Sequence, residues 1–283
     1  MKILYVAMRY DYGQKSRGYS FEHLNFYPTF LNMGYDVTYF DFDVIAQRYG
    51  RDGMNKKLIE AADKIQPDLI FSVLQEDEFV YETFRILTLQ KGFLTVNWFC
   101  DDHWRFENYS LEWSSYFKYV ITTDSASVKK YQDNGVFHVI RSQWAANPSD
   151  YFKLDIPHVY DVTFVGMPHG NRRQVIHGLR KKGIRVKCFG YGWNDITKYG
   201  WFKPIGHWLS KIPYVNALYW RFVKAVKRTS RVSHKRMIEI FNQSKINLNL
   251  SNSSTNASSQ IKGRNFEVPA CGAFLLTNHV KGL

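Results

Sequence analysis

Along the first half of the chain, short apolar runs alternate with stretches whose apolar residues recur every three or four positions. Residues 2–7 form an apolar strand. Residues 20–33 predict a helix, with Phe21, Leu24, Phe26 and Phe30 on its apolar side and Gly34 at its stop. Residues 35–40 are rich in β-branched and aromatic side chains and predict a strand. Helices at 54–65, 79–90 and 110–117 then alternate with strands at 68–74, 93–99 and 119–123. A helix at 126–133 stops at Asn134-Gly135 before a strand at 137–140. Strands joined through helices by short loops predict an α/β fold, a parallel sheet with helices on both faces. Ligands of such sheets gather at the carboxyl ends of the strands, which points to the loops after Ala7, Leu74, Phe99 and Thr123.

The rhythm pauses at Asn147-Pro148 and again at Asp155-Ile156-Pro157, and a second sheet begins. Its strands are predicted at 161–166, 184–190, 245–250 and 273–277, with helices at 172–182, 233–243 and 263–270. The pattern therefore predicts two doubly wound domains, residues 1–154 and 155–283. Residues 198–236 interrupt the second, with ten Lys or Arg, no acid, and interleaved Trp201, Phe202, Trp208, Tyr214, Tyr219, Trp220 and Phe222. These aromatics make no clean helical stripe. The segment suits the surface of an anionic membrane, and equally an edge of the domain covered by snorkelling lysines.

Composition narrows the partners. Apolar residues make up 45% of the 283, enough to build buried cores, which excludes a disordered chain. The net charge of +13 favours anionic partners: a nucleotide diphosphate, a nucleic acid or an anionic membrane. No nucleic-acid-binding motif accompanies the charge, so nucleic acid is not the expected partner. Cys100, Cys188 and Cys271 show neither zinc spacing nor a disulfide framework, which fits a reducing, cytoplasmic setting. The apolar run after Met1-Lys2 is too short for a secretory leader, and no run approaches a membrane span. The expected location is cytoplasmic, with peripheral membrane contact through residues 198–236 left open.

Three stretches carry candidate chemistry. The first is Val165-Gly166-Met167-Pro168-His169-Gly170-Asn171-Arg172-Arg173, between a strand and a helix. Gly166 and Gly170 let backbone approach a phosphate, His169 lies between them, and Arg172 or Arg173 can add charge-assisted bonds. An ordinary βα turn reads the same way. The second is Lys262-Gly263-Arg264-Asn265-Phe266-Glu267-Val268-Pro269-Ala270-Cys271-Gly272, where a basic pair precedes a short helix with one carboxylate. Glu267 is the only acid between Glu239 and the chain end. A carboxylate there can accept both hydroxyls of a ribose while Arg264 faces a diphosphate.

This second stretch resembles the nucleotide-sugar signature of retaining GT-B glycosyltransferases, whose closing Glu lies on a helix ending in Ala-Cys-Gly. More narrowly, Gly263-Arg264-Asn265-Phe266-Glu267 with Ala270-Cys271-Gly272 resembles the spore-maturation CgeB-like glycosyltransferases, as do residues 119–124 and 144–148. The resemblance implies two Rossmann-like domains, an N-terminal acceptor domain and a C-terminal donor domain. It implies a nucleotide-sugar co-substrate, a UDP-sugar, and a metal-independent reaction with no bound cofactor. The acceptor it implies is a glycan, a lipid-linked group or a protein. The donor-binding set is then Gly166, His169, Gly170, Arg172, Arg173, Lys262, Arg264, Asn265 and Glu267. The wider signature has a second Glu eight residues earlier, where this chain has Ser259. Such proteins also continue past the point where this chain stops, so the C-terminal domain is expected to be incomplete.

The third stretch is Asn97-Trp98-Phe99-Cys100-Asp101-Asp102-His103-Trp104-Arg105, at the end of a predicted strand. Asp101, Asp102 and His103 are candidates for orienting or deprotonating an acceptor hydroxyl. A metal is not expected, because three consecutive residues rarely converge on one ion. Asp102 can instead cap the following helix. Arg9, Tyr10, Arg17, Tyr19 and His23, on the first loop and the helix after it, are the expected acceptor-binding residues, with the tyrosines as stacking platforms.

Overall fold

In β1 (Lys2–Ala7), five consecutive residues are fully buried: Ile3, Tyr5 and Ala7 enter one core, Leu4 and Val6 another. Covering a parallel strand on both faces leaves no place for polar residues, which is why this segment reads as an unbroken apolar run. The computed structural model describes residues 1–194, 213–228, 231–252, 259–280 and 282–283. The chain divides into two compact units, Met1–Asn147 with Gly282 and Pro148–Lys281 with Leu283.

In the first unit, β1 leads through α1 (Phe21–Asn32) to β2 (Asp36–Asp41), α2 (Phe42–Ile65) and β3 (Leu69–Ser72). Then come α3 (Tyr81–Arg85), β4 (Thr95–Phe99), α4 (Asp102–Arg105), α5 (Leu111–Ser114), β5 (Tyr119–Thr122), α6 (Ser125–Asp133) and β6 (Val139–Arg141). The six strands run in the order β2-β1-β3-β4-β5-β6, all parallel. Phe26, Tyr27 and Phe30 of α1 pack on one face, and Met54, Leu58 and Ala62 of α2 on the other.

Local chemistry sets most boundaries. The Ser20 hydroxyl accepts from the His23 backbone N–H at 3.0 Å and starts α1, and Asp124 caps α6 through Ser127 N at 3.0 Å. Helix α2 begins twelve residues before its predicted start, because Asp41 caps it and the chain bends at Gly50, where φ is 72°. The predicted helix at 79–90 is α3 followed by a wide turn over Ile86–Gln90, and α4 was not foreseen.

The second unit holds β7 (Tyr160–Val165), α7 (Arg172–Lys181), β8 (Val186–Phe189), α8 (Pro213–Arg228), α9 (His234–Asn242), β9 (Ser244–Asn249), α10 (Arg264–Ala270) and β10 (Leu275–Thr277). Among the described residues its sheet has four parallel strands in the order β10-β9-β7-β8. The expected α/β fold with two Rossmann-like parallel sheets is therefore present, and the second sheet is the smaller. Helix α8 falls in the segment where the sequence pattern offered no element. It opens with Pro213, whose fixed φ suits a first helical position. Residues 198–212 of that segment, with Trp201, Phe202 and Trp208, and residues 229–230 lie outside the described residues. Among the described residues no helix is long and apolar enough to cross a membrane.

Candidate functional site

Each sheet has a topological switch point, where successive crossovers leave to opposite sides and the carboxyl ends of two strands open a crevice. In the first sheet it lies between β1 and β3, and in the second between β7 and β9.

At the first switch point is a cleft of about 520 Å³. Its walls are Met8, Asp11, Tyr12 and Phe21 from the β1 side, Asp43 from α2, Gln75, Glu76 and Glu78 after β3, and Asp101, Trp104 and Arg105 after β4, with Glu22 of α1. Six carboxylates face one arginine in a chain that is strongly basic overall. Tyr12 and Trp104 expose their rings. The Glu78 carboxylate accepts from the backbone N–H of Gln75 at 3.0 Å and of Glu76 at 2.9 Å, so it folds the very loop that carries it. Burial outweighs those bonds and pushes the Glu78 carboxyl up to about 7. Burial also raises Glu22 and Asp43. Gln75 Nε2 donates to Glu22 at 3.3 Å, and the Arg105 guanidinium donates to the Gln75 carbonyl while lying 4.2 Å over the Tyr109 ring.

Of the residues expected to orient or deprotonate an acceptor, only Asp101 lines this cleft. Asp102 is buried and accepts from the Tyr131 hydroxyl at 3.1 Å, which ties α4 to α6. Burial raises its carboxyl to about 6, against the pull of hydrogen bonds from Ser110, Thr122 and Tyr131. His103 is half-buried beside it and does not line the cleft.

None of the five expected acceptor-binding residues lines the cleft: Tyr10, Tyr19 and His23 form a neighbouring aromatic stack, Arg9 lies over Tyr39, and Arg17 backs the cleft wall. The loop after β1 closes on itself through a bridge between Tyr10 and Tyr19, whose rings stack at 5.5 Å. His23 packs against Tyr19 at 4.5 Å and against Tyr27 and Tyr39 at 5.4 Å. Burial first, then the Arg9 charge, lowers its pKa to about 4, so its imidazole is neutral at physiological pH. Arg9 pairs with Asp41 at 3.5 Å, and Arg17 pairs with Asp11 at 2.9 Å while covering the Tyr12 ring at 4.0 Å. Through Asp11 and Tyr12, Arg17 holds one wall of the cleft. The run Glu76-Asp77-Glu78, straight after a predicted strand, is a signal for this cleft that the motif reading did not use.

At the second switch point, Arg172 is buried and spans the crevice. It donates to the Met167 carbonyl after β7 at 2.9 Å and to the Leu250 carbonyl after β9 at 2.8 Å. Burial first, then repulsion from Arg264, lowers its pKa to about 10. Arg173 turns instead to the carbonyls of Gly192 and Trp193. The Gly166 carbonyl accepts from Trp193 Nε1 at 2.7 Å, and a side chain on Gly190, where φ is 132°, would collide with that same carbonyl. Gly170 also has a positive φ, and His169 is half-buried in the loop.

Arg264 opens α10 over the Phe241 ring, 5.3 Å from its centre, and its Nε lies 3.4 Å from the Val165 carbonyl at the end of β7. The same guanidinium pairs with Glu267, one turn on. The Glu267 carboxylate has no solvent exposure, and its other oxygen accepts from the Tyr151 hydroxyl at 2.9 Å. In this state both carboxylate oxygens have protein partners. Asn265 is buried, and its Oδ1 accepts from the Lys262 backbone N–H at 2.9 Å and from Asn249 Nδ2 at 3.2 Å. Asn249 also donates to Ser251 and Thr277, so the ends of β9 and β10 and the start of α10 form one polar knot. Ser259 pairs with Asn252 in an isolated bridge, and residues 253–258 between them lie outside the described residues. Among the described residues no group of three or more His, Cys, Asp or Glu is arranged to hold a metal.

No curated protein matches the chain in sequence. Among solved structures it is similar to a glycosyltransferase from Rickettsia africae ESF-5, at 10% identity over 100% of this chain and 80% of that one, with a TM-score of 0.50. It is also similar to a protein described as a UDP-N-acetylglucosamine 2-epimerase from Listeria monocytogenes, at 7% identity over 98% of this chain and 78% of that one, with a TM-score of 0.50. At such identities the likeness concerns the fold, two Rossmann-like sheets with GT-B-like neighbours. Residues 172–283, which carry Arg172, Arg264 and Glu267, match a family described as glycosyl transferase-like.

Proposed function

We propose that the protein is a glycosyltransferase that takes a nucleotide-sugar donor at the β7–β9 switch point, and that the donor is a UDP-sugar. The observation carrying this reading is the Arg264–Glu267 pair at that crevice, its carboxylate fully buried, inside the segment similar to glycosyl transferase-like proteins. The narrower likeness to CgeB-like enzymes rests on residues 263–267 and 270–272.

In this reading the donor diphosphate competes with Glu267 for the Arg264 guanidinium. A diphosphate carries more charge than one carboxylate and accepts the planar guanidinium in the same two-bond geometry. Drawing Arg264 away frees one Glu267 oxygen to accept from ribose, while Tyr151 keeps hold of the other. Lys262 and the Gly166–Gly170 loop complete the phosphate environment, and the fixed positive charges stabilise the departing diphosphate without a metal. The acceptor enters the acidic cleft at the β1–β3 switch point. Carboxylates there accept from sugar hydroxyls, Tyr12 and Trp104 offer apolar faces to a ring, and Asp101 orients the attacking oxygen.

Isothermal titration with UDP and with GDP tests the donor site. Micromolar UDP binding that weakens in Arg264→Lys and in Glu267→Gln supports the reading, and absence of binding to either nucleotide removes its basis. An epimerase-like protein shares the fold, so product analysis with UDP-sugars should separate transfer from epimerisation.

A further inference from the structure

Helix α8 (Pro213–Arg228) presents an unusual surface. Tyr219 and Val223 are buried and fix which side faces the protein. Leu218, Trp220 and Phe222 are 52%, 45% and 55% exposed, although a stable soluble helix ordinarily turns such residues inward. Leu218 and Phe222, four residues apart, lie one above the other on one flank, and Trp220 projects from the opposite flank. Arg221 and Lys224 are exposed on the pole between these flanks, and Lys227 and Arg228 follow in sequence. From residue 196 to residue 238 the chain has no Asp or Glu, so nothing in the segment neutralises this charge.

A helix lies in the plane of a lipid interface when an apolar flank enters it with long cations alongside, and Leu218 and Phe222 with neighbouring Arg221 make such a flank. Leucine and phenylalanine enter the acyl boundary, tryptophan settles at the headgroups, and the long cations reach phosphates. A nucleic acid would engage the cations and gain little from Leu218 and Phe222. A second copy of this chain would bring together two surfaces of the same positive sign. We infer that α8 docks the protein onto an anionic lipid surface, whatever reaction its two crevices perform.

The test is sedimentation of the full chain with phosphatidylcholine vesicles, with and without phosphatidylglycerol. Two variants are compared, Leu218→Ser/Trp220→Ser/Phe222→Ser and Arg221→Glu/Lys224→Glu, after circular dichroism and thermal melts show that both keep the fold. The expected result is binding only to the anionic vesicles, weakened roughly tenfold or more by either variant. No binding to anionic vesicles would overturn the inference, as would binding that survives the loss of all three apolar side chains. Binding to an oligonucleotide that is lost with Arg221 and Lys224 but unaffected by the apolar variant, without vesicle binding, would assign the surface to nucleic acid instead. A concentration-dependent dimer abolished by the apolar variant, again without vesicle binding, would assign it to self-association.

Discussion

The Tyr151 hydroxyl donates to a Glu267 oxygen at 2.9 Å, linking the first residues of the second unit to the carboxylate of α10 across 116 positions of sequence. Tyr151 precedes the segment that matches glycosyl transferase-like proteins, yet it holds the one fully buried carboxylate among the described residues of that segment. Replacing Tyr151 with Phe removes a hydrogen bond to a charged group and should cost about 1.5–3 kcal/mol of stability, read from chemical denaturation. An unchanged midpoint would mean that the buried carboxylate does not depend on this bond.

Removing Arg264 alone leaves Glu267 buried without its cation. Arg264→Met should therefore destabilise by on the order of 3–5 kcal/mol, and the double variant Arg264→Met/Glu267→Met by less. A double-mutant cycle that adds without coupling would show that the pair contributes nothing beyond its parts. Arg264→Lys keeps the charge and loses the fork, so UDP should bind roughly tenfold more weakly to it.

Two raised carboxyls set a pH dependence. Asp102 has a folded value of about 6 against 3.8, and Glu78 about 7 against 4.5. In those windows the folded chain holds a proton that the unfolded chain has released, so stability falls as pH rises through them. Each group thus costs stability at neutral pH and none below its unfolded value. Asp102→Asn should gain on the order of 2–3 kcal/mol at pH 7.5 relative to the parent, a difference that vanishes toward pH 4. A difference constant with pH would refute the assignment.

Gly190→Ala forces a side chain into a left-handed backbone position and onto the Gly166 carbonyl. A loss on the order of 3 kcal/mol is expected, together with weaker UDP binding, because the glycine loop after β7 must move. A variant with parental melting temperature would show that the loop yields freely.

Within the acidic cleft, Asp101→Asn should lower kcat by roughly a hundredfold or more if this carboxylate takes the acceptor proton, with UDP affinity unchanged. Trp104→Ala should raise the acceptor KM with little change in kcat. Steady-state kinetics on a transferred sugar would check both.

The alternation of strands and helices was readable because each parallel strand is buried on two faces, and β1, β4 and β7 appear where the apolar runs fall. Helix α2 was half missed because residues 42–53 carry no apolar period: their helicity comes from the Asp41 cap and the packing of Phe42, which only the folded chain reveals. Helix α8 was missed for a related reason, since its apolar residues lie on more than one side. Around the second crevice, motif reading named Arg172, Arg264 and Glu267 as donor-binding candidates. It could not show that Arg172 is committed to two carbonyls or that Tyr151 reaches Glu267, because those partners are distant in sequence. Around the first, spacing drew attention to three consecutive residues, whereas successive residues on a short helix diverge, and Asp101 and Asp102 face different surroundings.

Arg172 lies close enough to Arg264 to feel its charge, and burial denies Arg172 the water that would soften the effect. The folded chain thus keeps two like charges near each other, with the Glu267 carboxylate paired to one of them. In the proposed reading, a diphosphate that draws Arg264 away from Glu267 also shields Arg172 from it, so part of its affinity comes from relief of that repulsion. In that reading Arg172 acts on the diphosphate through its field, while two of its nitrogens donate to the ends of β7 and β9.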